Sequence, residues 1–157
     1  ESLPEVDTVL VPVGGGGMIS GIATAIKLSK PSVKVIGVEP ELAADAQASF
    51  RAHKIVDFPA EQVIRTIADG LRTQSIGPVN FEHIQKYVDD IVTVSEDEIR
   101  ESMRRLAANP KTVAEPSGAV AAAGYLAHAQ AAAFGPAVAV VSGGNVEPSL
   151  LARLISG

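Results

Sequence analysis

No cysteine occurs among the 157 residues of this chain. That excludes a disulfide framework and any thiolate metal site, and it fits a cytoplasmic protein. A basic stripe is also lacking: 13 Lys and Arg stand against 18 Asp and Glu, for a formal charge of -5. Such a surface cannot displace the counterions of a phosphate backbone, so nucleic acid is excluded as a partner. There is no basic-then-apolar start, so no signal peptide is expected. Residues 116 to 146 contain no Asp, Glu, Lys or Arg, which raises the question of a membrane span. Gly118, Gly124, Gly135, Pro136, Gly143 and Gly144 interrupt that run, whereas a spanning helix needs about 20 continuous apolar residues. No membrane segment is expected. Neither G-x-S-x-G nor H-E-x-x-H occurs, and His53, His83 and His128 show no metal-ligand spacing.

What the chain has is 46% hydrophobic and 20% charged residues, the balance of a globular domain. Residues 1–157 fit a single α/β domain, able to bury about 70% of its unfolded surface. Residues 8 to 13 form an apolar, largely β-branched run with the look of a strand covered on both faces. The run opens into Gly14, Gly15, Gly16 and Gly17, then Met18. Ile19, Ile22, Ala23 and Ile26 follow on one helical face. Four residues without Cβ let successive backbone N–H groups turn onto one small anion, and the helix dipole aims at the same spot.

Further strands are expected at 33 to 38, 91 to 94 and 137 to 141. Helices are expected at 41 to 52, from the capping box Ser95-Glu-Asp-Glu98, at 119 to 133 and at 147 to 155. Between Lys54 and Val79 the pattern is weak, broken by Pro59, Gly70, Gly77 and Pro78. Strands alternating with helices imply a mainly parallel sheet with helices on both faces, a three-layer arrangement. Ligands of such sheets bind beyond the carboxyl ends of the strands. Three expected strand ends carry unusual residues: Gly14 to Gly17, Glu39-Pro40 and Ser142-Gly143-Gly144-Asn145.

The glycine run invites a dinucleotide reading, with Glu39 placed as a ribose-binding acid. The spacing fails, because G-x-G-x-x-G from Gly14 requires glycine where Ile19 stands, and from Gly16 where Met18 stands. No lysine follows the glycines until Lys27, so no Walker-type loop exists. A monophosphate suits the loop better. Ser142 is either a plain turn cap or, at the same sheet edge as the glycines, a hydroxyl facing the ligand. Glu39, Asp45 and the backbone between them offer oxygen donors for Mg2+ or Ca2+, although acids near a helix start are also common without a metal.

The segments V-P-V-G-G-G-G-M from Val11, V-I-G-V-E-P from Val35 and T-I-A-D-G from Thr66 occur in that order. V-D-D-I from Val88, E-P-S-G-A from Glu115 and S-G-G-N-V from Ser142 follow. Together these resemble the C-terminal portion of fold-type II pyridoxal-phosphate enzymes, the serine/threonine dehydratase and serine racemase group. The resemblance implies pyridoxal 5'-phosphate as cofactor. Gly14, Gly15, Gly16, Gly17 and Met18 would bind its phosphate, and Ser142, with Gly143 beside it, its pyridine nitrogen. Gly70 would lie beside the ring, with Glu115 close by. It implies Glu39, the carbonyl of Ala43 and Asp45 as ligands of a divalent cation, and Lys111 as a nucleotide-effector contact. The expected reaction is β-elimination of a small hydroxy amino acid to a keto acid and ammonia, with racemisation as the alternative. A non-catalytic dinucleotide- or phosphate-binding module is the rival outside the family.

The family's covalently binding lysine sits in an S-x-K-x-R-G-like motif that this sequence lacks. Lys27, Lys30, Lys34, Lys54, Lys86 and Lys111 all stand in other contexts. The resemblance therefore implies a missing N-terminal half as partner, a homo-oligomeric parent enzyme, and no activity from this polypeptide alone.

Overall fold

The computed structural model describes residues 3–109, 112–129 and 134–156. Four parallel strands lie in the order β3-β2-β1-β4 among these residues: β1 Thr8–Pro12, β2 Lys34–Pro40, β3 Asp90–Val94 and β4 Ala137–Ala139. Every residue of β1 is buried, as its uninterrupted apolar run requires. It pairs with β2 from Thr8↔Lys34 to Pro12↔Val38, and with β4 from Thr8↔Ala137 to Leu10↔Ala139.

Seven α-helices complete the described fold: α1 Gly17–Ser29, α2 Asp45–Ala52, α3 Ala60–Val63, α4 Pro78–Tyr87, α5 Glu96–Ala108, α6 Pro116–His128 and α7 Pro148–Ser156. Alternating side chains send Val9, Val11 and Val13 to one face, where they meet Ile19 and Ala23 of α1 and Ile84 of α4. Leu10, Ile36 and Val38 meet Ile99 of α5 and Val120, Ala121 and Ala123 of α6 on the other. The three-layer expectation therefore holds. A smaller cluster joins Met103, Ala114 and Ala119 to Leu154 of α7.

Two departures from the sequence pattern bear on the site. The helix expected over 41 to 52 is broken: a 3-10 turn at Glu41–Ala43 precedes α2. The break places two α2 amides against a buried carboxylate, described below. The weak stretch after Lys54 leads into α4, a ten-residue helix starting from Gly77 and Pro78. It packs against α1 beneath the glycine turn. The helix expected at 119 to 133 begins at Pro116 and ends at His128, and its expected last residues lie outside the described ones.

Candidate functional site: a glycine turn and a cavity at the sheet's carboxyl edge

A cavity of about 250 Å3 opens beyond the carboxyl ends of β1 and β4. It is lined by Pro12, Gly14 to Gly17, Met18, Gly70, Leu71, Glu115, Ser117 and Ser142. Its size falls just below the usual ~300–1,000 Å3 of ligand pockets. Eight of the nine residues singled out as cofactor-binding stand on this wall. The ninth, Gly143, stands just behind it: its carbonyl accepts the Glu115 N–H at 3.0 Å. A Cβ on Gly143 would run into Glu115 Oε1, so the two segments touch backbone to side chain.

The turn itself is held tightly. Val13 N–H still donates to Val38 O at 2.9 Å, continuing the sheet, and the chain then leaves it at Gly14. Gly16 adopts φ +87°, the left-handed region, as the N-cap of α1. A Cβ there would also lie 2.9 Å from Ile76 Cγ2 and 3.0 Å from Ile84 Cδ1. No protein acceptor among the described residues takes the N–H groups of Gly14, Gly15, Gly16, Gly17 or Met18. Five donors at the positive end of α1 and on the wall of a cavity are the donor set a phosphate needs. The N-terminus of α6 opens onto the same cavity through Glu115 and Ser117.

Gly70 is fixed across the cavity by α6. Its N–H donates to Ser117 Oγ at 2.9 Å and to Asp69 Oδ1 at 2.9 Å, and Ser117 Oγ donates to Asp69 Oδ1 at 3.4 Å. Further back, Glu96 accepts from Thr66 Oγ1 at 2.6 Å and from Ile67 N at 2.7 Å. The Arg72 guanidinium grips the Thr66 carbonyl with two N–H groups. Ser117, the second residue of α6, was not legible as a site residue because nothing in the E-P-S-G-A segment around it points to Gly70. Its place next to Gly70 depends on tertiary structure.

No lysine among the described residues lines the cavity. Lys27 pairs with Asp89 at 2.7 Å, and Lys30 donates to the Pro4 carbonyl at 2.9 Å. Lys111 lies outside the described residues.

Glu39 and Asp45 form a second locus. Both are fully buried at 0% exposure, and Ala43 between them is buried as well. Glu39 Oε1 accepts the Ala46 N–H at 2.9 Å and Oε2 accepts the Gln47 N–H at 2.7 Å, so it closes the start of α2. A carboxylate so enclosed is not available to a ribose, which counts against a dinucleotide. Burial first, and the Asp45 charge second, hold the Glu39 pKa well above its usual range. Burial likewise raises Asp45 from 3.8 to about 7. Neither Asp45 carboxylate oxygen makes a close hydrogen bond among the described residues, and the Thr73 hydroxyl, itself without a close partner, only partly offsets the effect of burial. A buried carboxylate in that state demands a proton or a cation. The donor set is two carboxylates and the intervening backbone; no cluster of three acids or histidines occurs among the described residues.

A protein-family model described as "Pyridoxal-phosphate dependent enzyme" matches residues 1–143. The chain is 41% identical over 157 residues to L-threo-3-hydroxyaspartate ammonia-lyase of Saccharomyces cerevisiae, covering 100% of this chain and 47% of that protein. It is 44% identical over 128 residues to serine racemase of Arabidopsis thaliana, covering 82% of this chain and 38% of the relative. The solved structure of the processed form of threonine deaminase isoform 2 from Solanum lycopersicum matches with a TM-score of 0.91 at 34% identity. That match covers 99% of this chain and 46% of the other. The chain thus spans less than half the length of these relatives. With a glycine turn, a matching family model and a shared fold in agreement, this chain belongs to the pyridoxal-phosphate-dependent enzyme family.

Proposed function

We propose that this chain is the cofactor-phosphate-binding portion of an ammonia-lyase that converts a small hydroxy amino acid to a keto acid and ammonia. The observation that carries the reading is the convergence of Gly14 to Gly17, Met18, Gly70, Glu115 and Ser142 on one cavity. When bound, pyridoxal phosphate supplies the electron sink that lets an amino acid lose its Cα proton and then its β-hydroxyl. The free N–H groups of residues 14 to 18 hold the phosphate, and the α1 dipole adds to them. Gly70, tethered to Ser117, flanks the ring without a side chain to obstruct it. The Ser142 hydroxyl would be the partner of the ring nitrogen and, with a pKa far outside the working range, would leave it uncharged.

The buried carboxylates complete the reading. Glu39, the Ala43 carbonyl and Asp45 hold Mg2+ or Ca2+, hard cations that prefer oxygen donors. The orphaned Asp45 oxygens support this assignment.

In this reading the covalently binding lysine comes from a separate, N-terminal portion of the enzyme, and its partner chain is a second copy. The assembly works in the cytoplasm. The outer edge of β4 suits the added portion: β4 is an edge strand, and Val138 on it is exposed. Racemisation is the second reading, favoured by the 44% identity to a serine racemase. Chiral analysis of serine incubated with the assembled enzyme separates the two outcomes.

Titration of the 157-residue chain with pyridoxal phosphate, pyridoxal and NAD tests the core of the proposal. Binding should require the phosphate, and borohydride reduction should leave no lysine modified. Protection by NAD but not by pyridoxal phosphate would replace this reading with a dinucleotide-binding one.

A further inference from the structure

One polar side chain bears on the glycine turn from behind the cavity. Asn80, in the first turn of α4, donates from Nδ2 to the Gly15 carbonyl at 2.7 Å. The Gly77 N–H donates to the same oxygen at 3.2 Å. The Asn80 carbonyl accepts from Ser20 Oγ at 3.1 Å, tying α4 to α1 just below the turn. The Asn80 Cβ also occupies the space beside Gly16, 3.0 Å from where a Cβ on that residue would be.

In a trans peptide, the carbonyl of one residue and the N–H of the next point in opposite directions. Pinning the Gly15 carbonyl against α4 therefore turns the Gly16 N–H away from α4. No residue of α4 lines the cavity, whereas Gly16 does, so that N–H faces the cavity side. Gly15 and Gly16 both lack Cβ, and little steric hindrance opposes rotation of the peptide between them. Rotated, the same peptide would present a carbonyl oxygen to the cavity, and an anion would be repelled.

We propose that Asn80 is a positioning residue that sets the polarity of the glycine turn, keeping the Gly15–Gly16 peptide in the donor-outward state that a phosphate monoester requires. This rests on the phosphate-cradle reading but assigns the selectivity to a residue outside the lining. The carboxamide is essential to it: a carboxylate of the same shape would meet the Gly15 oxygen with an acceptor.

The 157-residue wild type, Asn80→Ala and Asn80→Asp are titrated with inorganic phosphate, pyridoxal phosphate and pyridoxal. Calorimetry gives affinities, and amide NMR follows the Gly16 proton. In the wild type, both phosphate-bearing ligands should bind and move the Gly16 amide downfield. Asn80→Ala should weaken both by about tenfold, the scale of one hydrogen bond to a charged group. Its Gly16 shift should disappear, pyridoxal should bind neither protein, and Asn80→Asp should be weaker still. Wild-type affinity with an intact Gly16 shift in Asn80→Ala would overturn the inference and leave the cradle standing. Failure of the wild type to bind either phosphate would overturn both. If Asn80→Ala does not give a dispersed spectrum, the isosteric Asn80→Asp carries the comparison. A wild-type Gly16 amide that stays still at saturating phosphate overturns the inference without any variant.

Discussion

Gly16 meets two demands at once, a left-handed backbone and a space already filled by Ile76, Asn80 and Ile84. Gly16→Ala should destabilise the fold by at least about 1–2 kcal/mol from the backbone alone, read by chemical denaturation. Gly17, one residue on, has nothing within 4 Å of a Cβ position. Gly17→Ala should change stability by less than about 0.5 kcal/mol. The contrast was not legible in four identical letters, because it arises from α4, which the sequence pattern did not bring beneath the turn. Asp45 allows a second test. Its pKa rises on folding to about 7, so the folded chain binds the proton more tightly than the unfolded one. Its contribution to stability is therefore full below about pH 4 and declines as pH rises toward 7. Chelator-treated wild type should lose stability across that window relative to Asp45→Asn. Saturating Mg2+ or Ca2+, binding the ionised form, should restore stability at the upper end. Thermal melts of both proteins with and without the cation check the sign.

Among the elements, α5 was the most legible. Ser95 accepts from Glu98 N at 3.3 Å, and Glu98 Oε2 accepts from Ser95 N at 2.7 Å, the reciprocal pair its spacing announced. Ser95→Ala should cost about 1 kcal/mol, measured by denaturant unfolding. The cue is local, contained in four consecutive residues, and needs no tertiary context. The start of α2 is the opposite case. Its N-terminal amides are closed by Glu39, a residue from the end of β2, so no nearby letter marks where the helix begins. Glu39, a candidate cation ligand by its place in the sequence, has this structural duty as well. α4 was missed for a related reason: it starts from Gly77 and Pro78, which also punctuate loops, and its buried residue is Ile84.

Across the whole molecule, the layer order followed from alternating strand and helix patterns, and the strand ends that looked unusual proved to share one edge. What could not be read was how closely the layers approach. A Cβ on Gly124 of α6 would fall 2.7 Å from both Val38 Cγ atoms of β2. Gly124→Ala should therefore push α6 off the sheet and cost about 1–3 kcal/mol, while phosphate affinity changes less, because the five free N–H groups belong to the turn before α1 and not to α6. Comparing the melting temperature with the phosphate dissociation constant of that variant separates the two effects.

The pairing of β1 with β4 has a kinetic consequence. Pro12 and Ser142 share one cavity, but they come together only when Thr8 finds Ala137, near opposite ends of the described chain. The phosphate-facing turn draws on Gly77 and Asn80, about half as far along the chain, whereas the wall opposite waits for this longer closure. During refolding, the ability to capture inorganic phosphate should thus emerge ahead of the ability to discriminate between ring-bearing esters.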